Sequence, residues 1–211
     1  MERFSIPQSF GEFYREYLIP LESAIEYTLA QVELISHSCK EEFGRSPIEN
    51  VRYRIKSPES MSDKLKKHNL AVNAENAVHG VYDAAGVRVV TSFLEDIEVI
   101  AKRLKEASGL KVVSEKNYIT APKANGYRSY HIIFEVQTQK KVYIEVQIRT
   151  AAMDTWAAAD HRIQYKKLTP DSSVVAQELK RCAEELARID TTLQRLVRVY
   201  LSEQQKRSTS K

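Results

Sequence analysis

The sequence predicts an α+β domain, a mixed β-sheet with helices packed on its apolar face, flanked by N-terminal helices and a long C-terminal helix. Three observations predict it. Apolar residues recur at helical spacing near both ends, at Phe10, Phe13, Tyr17, Leu21 and Ile25 and again from Val175 to Tyr200. Between those ends the period changes to two, most clearly over residues 127–138 and 141–150, which a short polar turn separates. Gly, Pro and Ser residues fall at the changes of period.

Ser9-Phe10-Gly11-Glu12 has the spacing of a capping box and opens the N-terminal helical region, residues 1–47. Pro20 is expected to break or kink it into two helices, and the polar stretch 36–47 to end it. Apolar residues alternate with basic ones over 51–56, a strand that puts Arg52, Arg54 and Lys56 on one face. Ser57 caps a short helix with Pro58 at its first position, and that helix carries Lys64, Lys66, Lys67 and His68. Residues 84–91 read as a strand and 93–108 as an amphipathic helix stopped by Gly109. In the two long strands that follow, Ile132, Phe134, Val136, Val142, Ile144, Val146 and Ile148 make one apolar face. His131, Glu135, Glu145, Gln147 and Arg149 make a polar face that can carry chemistry.

The last helix, within 169–205, repeats apolar residues at Val175, Leu179, Cys182, Leu186, Ile189, Leu193, Leu196 and Tyr200, alternating steps of four and three. Such a heptad seam requires a helical neighbour, either the N-terminal helices of the same chain or a second subunit. Residues 206–211 read as a disordered tail.

Composition excludes several classes. The 211 residues are 43% hydrophobic and 28% charged, as in a globular domain, and no stretch is long and apolar enough to span a bilayer. No secretion signal is visible at the N-terminus, and Cys39 and Cys182 make no disulfide framework, which fits a cytoplasmic protein. The net charge of +4 is too mild to imply a nucleic-acid groove and suits a polyphosphate ligand. Neither a Walker loop nor a Rossmann fingerprint occurs, and the five His residues lack zinc-binding spacing.

Three sets of residues could carry chemistry. Arg54, Lys56, Lys64, Lys67 and Arg88 are the basic set, and Arg88 stands among Val residues of a central strand, where a guanidinium needs a base or a phosphate to justify it. Asp83 and Glu145 are carboxylates at the mouth of one strand and within another, a pair suited to Mg²⁺ holding phosphate. The loop 118–131 delivers Lys123, Tyr127, Arg128 and His131 into a strand, offering a flat ring, charge and an imidazole. Taken singly, each of these residues has an ordinary reading as solvated charge, ion pair or turn.

In order along the chain, Arg54-Ile55-Lys56 with Ser60 and 64–67, Asp83-Ala84-Ala85-Gly86-Val87-Arg88, the run 123–131, Glu145-Val146-Gln147-Ile148-Arg149-Thr150 and Asp160-His161 with Tyr165-Lys166 resemble one known domain. It is the synthetase domain of the RelA/SpoT-like (p)ppGpp synthetases, specifically the single-domain small alarmone synthetases. The resemblance implies a nucleotidyltransferase-like synthetase domain over 48–168 and a pyrophosphokinase that moves the β,γ-diphosphate of ATP to the 3′-hydroxyl of GDP or GTP. On the matching positions it implies that Arg54 and Arg88 sandwich adenine while Lys56, Ser60, Lys64 and Lys67 hold the ATP phosphates. Asp83 and Glu145 would bind Mg²⁺, with Glu145 also taking the proton from the acceptor hydroxyl. Tyr127 would stack on guanine, Lys123, Arg128, His131 and Gln147 would surround the acceptor, and Asp154 falls where the family places a residue for the guanine edge.

Departures from the family pattern are Ala84 for Ile, Asn117 for Asp, Asp160 for Glu and Lys67 for Arg. The absence of a His-Asp pair implies a synthetase without the hydrolase domain of longer members. A homo-oligomer, a tetramer by family, is expected, with no membrane and no nucleic-acid partner. The alternative is a toxin-like relative using the same chemistry on an adenine nucleotide or the 3′ end of tRNA.

Overall fold

The N-terminal helical spacing resolves into three pieces in the computed structural model, which describes residues 8–165 and 172–209. They are α1 (Gln8–Tyr14), one 3-10 turn (Arg15–Tyr17) and α2 (Leu18–Phe43). The break precedes Pro20, which sits in the first turn of α2, where its missing N–H leaves no hydrogen bond unmade. Helix α2 runs past Ser36 to Phe43 and ends on Gly44 at φ 72°, a left-handed cap that other residues adopt at a cost.

The strands are β1 (Ile48–Ile55), β2 (Ala85–Thr91), β3 (Leu110–Asn117), β4 (Tyr130–Gln137) and β5 (Lys141–Thr150), ordered β1-β2-β5-β4-β3. Only the central pair β2/β5 is parallel; the other neighbours are antiparallel, so the sheet is mixed, as expected. Helices α2 and α5 (Leu94–Glu106) cover one face, over Val87, Val89, Ile132, Phe134, Ile144, Val146 and Ile148, all buried. Short helices α3 (Pro58–Lys67) and α4 (Ala74–His79) join β1 to β2. Ser57 caps α3 through the Ser60 amide, with Pro58 at the first position.

Helix α6 (Ala151–Tyr165) follows β5 without a break, and α7 (Ser172–Thr209) packs on α6 and α5. Helix α7 continues to Thr209, into the segment expected to be disordered. Its buried residues are not those of the heptad seam. Ala183, Asp190 and Gln194 are buried, while Ile189, Leu193, Leu196 and Tyr200 stay exposed. Positions 183, 187, 190 and 194 also step by four and three, so a second stripe of small and polar residues, one position round the helix, faces the domain.

Asp190 accepts a hydrogen bond from Thr150 Oγ1 at 2.7 Å, and burial raises its pKa against that bond and the charge of Arg128. The folded state therefore holds this proton more tightly than the unfolded chain, and stability falls as pH rises through the folded pKa. Asp190→Asn should raise the unfolding temperature at neutral pH, and the gain should vanish in acid; thermal melts across pH 4 to 8 check it.

Candidate active site

The polar face of the sheet is assembled by register. Arg52 of β1 pairs with Arg88 of β2, Arg88 with Gln147 of β5, and Gln147 with His131 of β4, one row across four strands. In the next row Arg54 pairs with Gly86 and Gly86 with Glu145. Gly86 thus leaves open floor between an arginine and a carboxylate, because nothing rises from β2 at that place. A cavity of about 240 Å³ stands there, bounded by Arg54, Asp83, Arg88, Glu145 and Gln147. A second, of about 690 Å³, shares Arg54 and Arg88 and extends past Tyr127 and Arg149 to Asp160, His161 and Arg162 of α6.

Asp83 follows Tyr82, whose backbone takes the left-handed conformation at φ 58° and whose ring packs on Tyr143 at 4.4 Å. Asp83 Oδ2 receives Lys56 Nζ at 2.8 Å and Lys64 Nζ at 2.7 Å. Its Oδ1 is buried with no hydrogen-bond partner. An orphaned carboxylate oxygen beside a second carboxylate-lined wall suits a divalent cation. No group of three or more His, Cys, Asp or Glu able to hold a metal occurs among the described residues. Asp83 and Glu145 line the same cavity, and a cation held by them would take its remaining ligands from phosphate and water, as Mg²⁺ commonly does.

Glu145 is held on both oxygens. His131 Nδ1 lies 3.0 Å from Oε1, and Gln147 Nε2 donates to Oε2 at 2.8 Å. Burial works to raise its pKa, but the hydrogen bond and charge of His131, the Gln147 amide and Lys64 outweigh it and bring it down to about 2. The carboxylate is accordingly ionised before any substrate arrives.

From His131 a hydrogen-bonded path continues. His131 Nε2 is 2.8 Å from the Tyr127 hydroxyl, which Arg149 Nη2 also reaches at 2.5 Å. The Tyr127 ring carries the Arg149 guanidinium at 5.0 Å and Lys123 Nζ at 4.8 Å. Lys123 is an exposed side chain on a loop, so a flat ligand can take its place over the ring. Arg149 is buried and stays.

Most of the residues expected from sequence converge here: Arg54, Lys56, Lys64, Asp83, Arg88, Tyr127, His131, Glu145 and Gln147. Ser60 and Lys67 are exposed on α3 and border neither cavity. Arg128 points toward α7, donating to the carbonyls of Gly126 at 3.0 Å and Ala183 at 3.2 Å. Asp154 is buried among arginines. Arg52 and Arg149 were not among the expected site residues. Period two places both on the polar face, Arg52 two before Arg54 and Arg149 two after Gln147, but gives neither a role.

Residues 53–169 match a family model described as a region found in RelA / SpoT proteins. The chain is 35% identical over 178 residues to the GTP pyrophosphokinase YwaC of Bacillus subtilis (strain 168), covering 82% of this chain and 85% of that one. The small alarmone synthetase 1 of Bacillus subtilis, solved bound to its product pppGpp, superimposes with a TM-score of 0.79 at 29% identity, over 87% of this chain and 95% of that one. The same synthetase bound to AMPCPP gives 0.74 at 28% identity, over 90% and 98%. The sheet register that sets an arginine pair beside a doubly held glutamate is thus carried by a chain that matches the family over more than half its length, and the protein belongs to the RelA/SpoT family, among its small alarmone synthetases.

Proposed function

We infer that the protein is an ATP:GTP 3′-pyrophosphotransferase, moving the β,γ-diphosphate of ATP to the 3′-hydroxyl of GDP or GTP and releasing AMP. The observation that carries this reading is the continuous cleft in which Arg54 and Arg88 border both cavities, with Asp83 and Glu145 in one and Tyr127 in the other. In the reaction the 3′-oxygen bonds to the β-phosphorus, the bond from that phosphorus to the bridging oxygen of the α-phosphate breaks, and the hydroxyl proton passes to Glu145. Transfer of this kind needs positioning and charge neutralisation, with little covalent help.

Arg54 and Arg88 have the planar cations to stack on adenine, and Lys56 and Lys64 stand beside the carboxylates to meet its phosphates. Ser60 and Lys67, exposed on α3, are the further candidates for the ATP phosphates. Asp83 and Glu145 would hold Mg²⁺, which supplies charge neutralisation to the polyphosphate. Tyr127 takes the guanine with Lys123 displaced toward the acceptor phosphates, while His131 and Gln147 orient Glu145 and Arg128 braces the loop. Asp154 is the candidate for the guanine edge.

Purified protein with Mg²⁺, γ-labelled ATP, and GDP, GTP, ATP or deacylated tRNA as separate acceptors tests the assignment. Label in guanosine tetra- or pentaphosphate with AMP release is the expected result. Label confined to tRNA or to an adenine nucleotide overturns it.

Tyr127→Ala should raise the acceptor KM by about 5- to 150-fold, the range that corresponds to roughly 1–3 kcal/mol of base stacking, with the ATP KM little changed. Tyr127→Phe keeps the ring and should stay within about threefold in acceptor KM, so steady-state kinetics on the pair separates stacking from the hydroxyl's bonds. The exposed seam of Ile189, Leu193, Leu196 and Tyr200 fits an interface between copies of this chain, in keeping with a tetramer. No helix of the described residues is long and apolar enough to cross a membrane, and with both cysteines free the expected setting is the reducing cytoplasm.

A further inference from the structure

Three arginines from three adjacent strands meet one carboxylate. Asp154, on the first turn of α6, lies with Oδ1 at 3.3 Å from Arg88 Nη1 of β2 and 3.4 Å from Arg149 Nη1 of β5. Its Oδ2 lies 3.6 Å from Arg52 Nη1 of β1. Arg52 is mostly exposed and its charge is screened by solvent. Arg88 and Arg149 are not so screened, and Asp154 is the counter-charge they share. Burial and then the Arg149 guanidinium lower the Arg88 pKa, against the pull of Asp154. Arg88 Nε is moreover buried with no hydrogen-bond partner, so few contacts besides Asp154 fix its plane.

Both arginines line the larger cavity, and Arg88 alone of the two reaches into the smaller one. Arg149 lies against the Tyr127 ring and donates to its hydroxyl. Asp154 thereby closes a hydrogen-bonded path that runs from Glu145 through His131, Tyr127 and Arg149 to Arg88. Oδ1 is the atom both buried guanidinium groups share, while Oδ2 meets only the exposed Arg52 and keeps acceptor capacity for a base edge. We propose that Asp154 is a positioning residue that couples the two substrate sites: by holding Arg88 and Arg149 together it sets the adenine-stacking cation and the guanine-stacking tyrosine in one arrangement. The assignment of adenine and guanine to those two residues rests on the function inferred above. If Asp154 only read guanine, its loss would touch the acceptor alone.

Calorimetric titration with AMPCPP and, separately, with GDP in the presence of Mg²⁺ distinguishes the roles without requiring turnover. Asp154→Asn, nearly isosteric, should weaken both ligands, each by about tenfold, because the freed arginines repel and Arg88 loses its orientation. In the double variant Asp154→Asn/Arg149→Met the repelling charge is gone, so AMPCPP binding should return to within about threefold of the wild type while GDP binding stays weak. Circular dichroism and thermal unfolding establish that each variant is folded. The double variant loses a charge of each sign and keeps the cleft balanced, so its AMPCPP titration remains informative if the single variant does not fold. AMPCPP affinity unchanged in Asp154→Asn, or not recovered in the double variant, overturns the coupling. Wild-type protein that binds AMPCPP and GDP yet transfers nothing to GDP or GTP would overturn the assigned activity, while the titrations would still decide the role of Asp154.

Discussion

Glu145→Gln lowers diphosphate transfer by about 10²- to 10⁴-fold, the range for loss of a positioned base, while AMPCPP binding stays within about threefold of the wild type. The carboxylate is half-buried on β5, held by His131 at 3.0 Å and Gln147 at 2.8 Å. With its pKa down at about 2 it carries its charge at every working pH. Each oxygen keeps a lone pair free beyond those two bonds, so the 3′-hydroxyl can be received without breaking the frame. The amide replacement has the same shape and loses the charge, one acceptor and the capacity to take a proton, and its neutral oxygen is a weaker ligand for Mg²⁺. It also presents an N–H₂ toward one of two neighbours that themselves donate. Single-turnover measurement of AMP release separates this chemical loss from binding. Turnover within tenfold of the wild type would remove Glu145 as the base.

Asp83→Asn is expected to cost at least about 10²-fold in transfer, within the range for a residue that positions phosphate and metal, and to raise the Mg²⁺ concentration for half-maximal rate by about tenfold. Two ammonium groups share Asp83 Oδ2 at 2.8 and 2.7 Å, and the Lys56 side chain is only 14% exposed. An amide leaves Lys56 without its counter-charge and Lys64 with only the charge of Glu145, and turns the orphaned Oδ1 position into either a donor or a weaker acceptor. Stability should drop by about 1–3 kcal/mol for the same reason, which a denaturant titration reads. The magnesium titration carries the decision. Lost activity with an unchanged magnesium requirement would make Asp83 an anchor for Lys56 and Lys64 and would leave Glu145 as the protein's one carboxylate for the cation.

Where the chain alternates cleanly, the sequence alone was sufficient. Residues 141–150 form β5 with the expected bounds, and the alternation put Glu145, Gln147 and Arg149 on one face as observed. Strand β3 escaped because it is an edge strand with an irregular register between Val112 and Ser114 and seven of eight residues exposed, so no face was marked as apolar. Helix α4 spans six residues, too few for a period to show. The stretch 36–47 does hold the end of α2, at Gly44, but its first part is still helix, because the polar residues from Ser36 onward are the solvent face of a helix whose buried side continues through Cys39. On α7 the strongest apolar seam was legible and its direction was not. The domain instead receives Ala183, Asp190 and Gln194.

By itself the sequence determined which residue types stand at which phase of each strand and helix, and hence an α+β domain with a polar sheet face bearing Arg54, Arg88, Glu145 and Gln147. It determined the family as well, because motifs of that specificity in that order do not recur by chance. Which of those residues touch was decided by tertiary structure alone. Lys56 and Lys64 on Asp83, His131 on Glu145, and Asp154 between Arg88 and Arg149 are pairs set by strand register and by the exit of α6 from β5. The physical reason is that periodicity is a local property of the chain, whereas an ion pair depends on a distance of a few ångströms between segments up to 66 residues apart, which only the packed sheet defines.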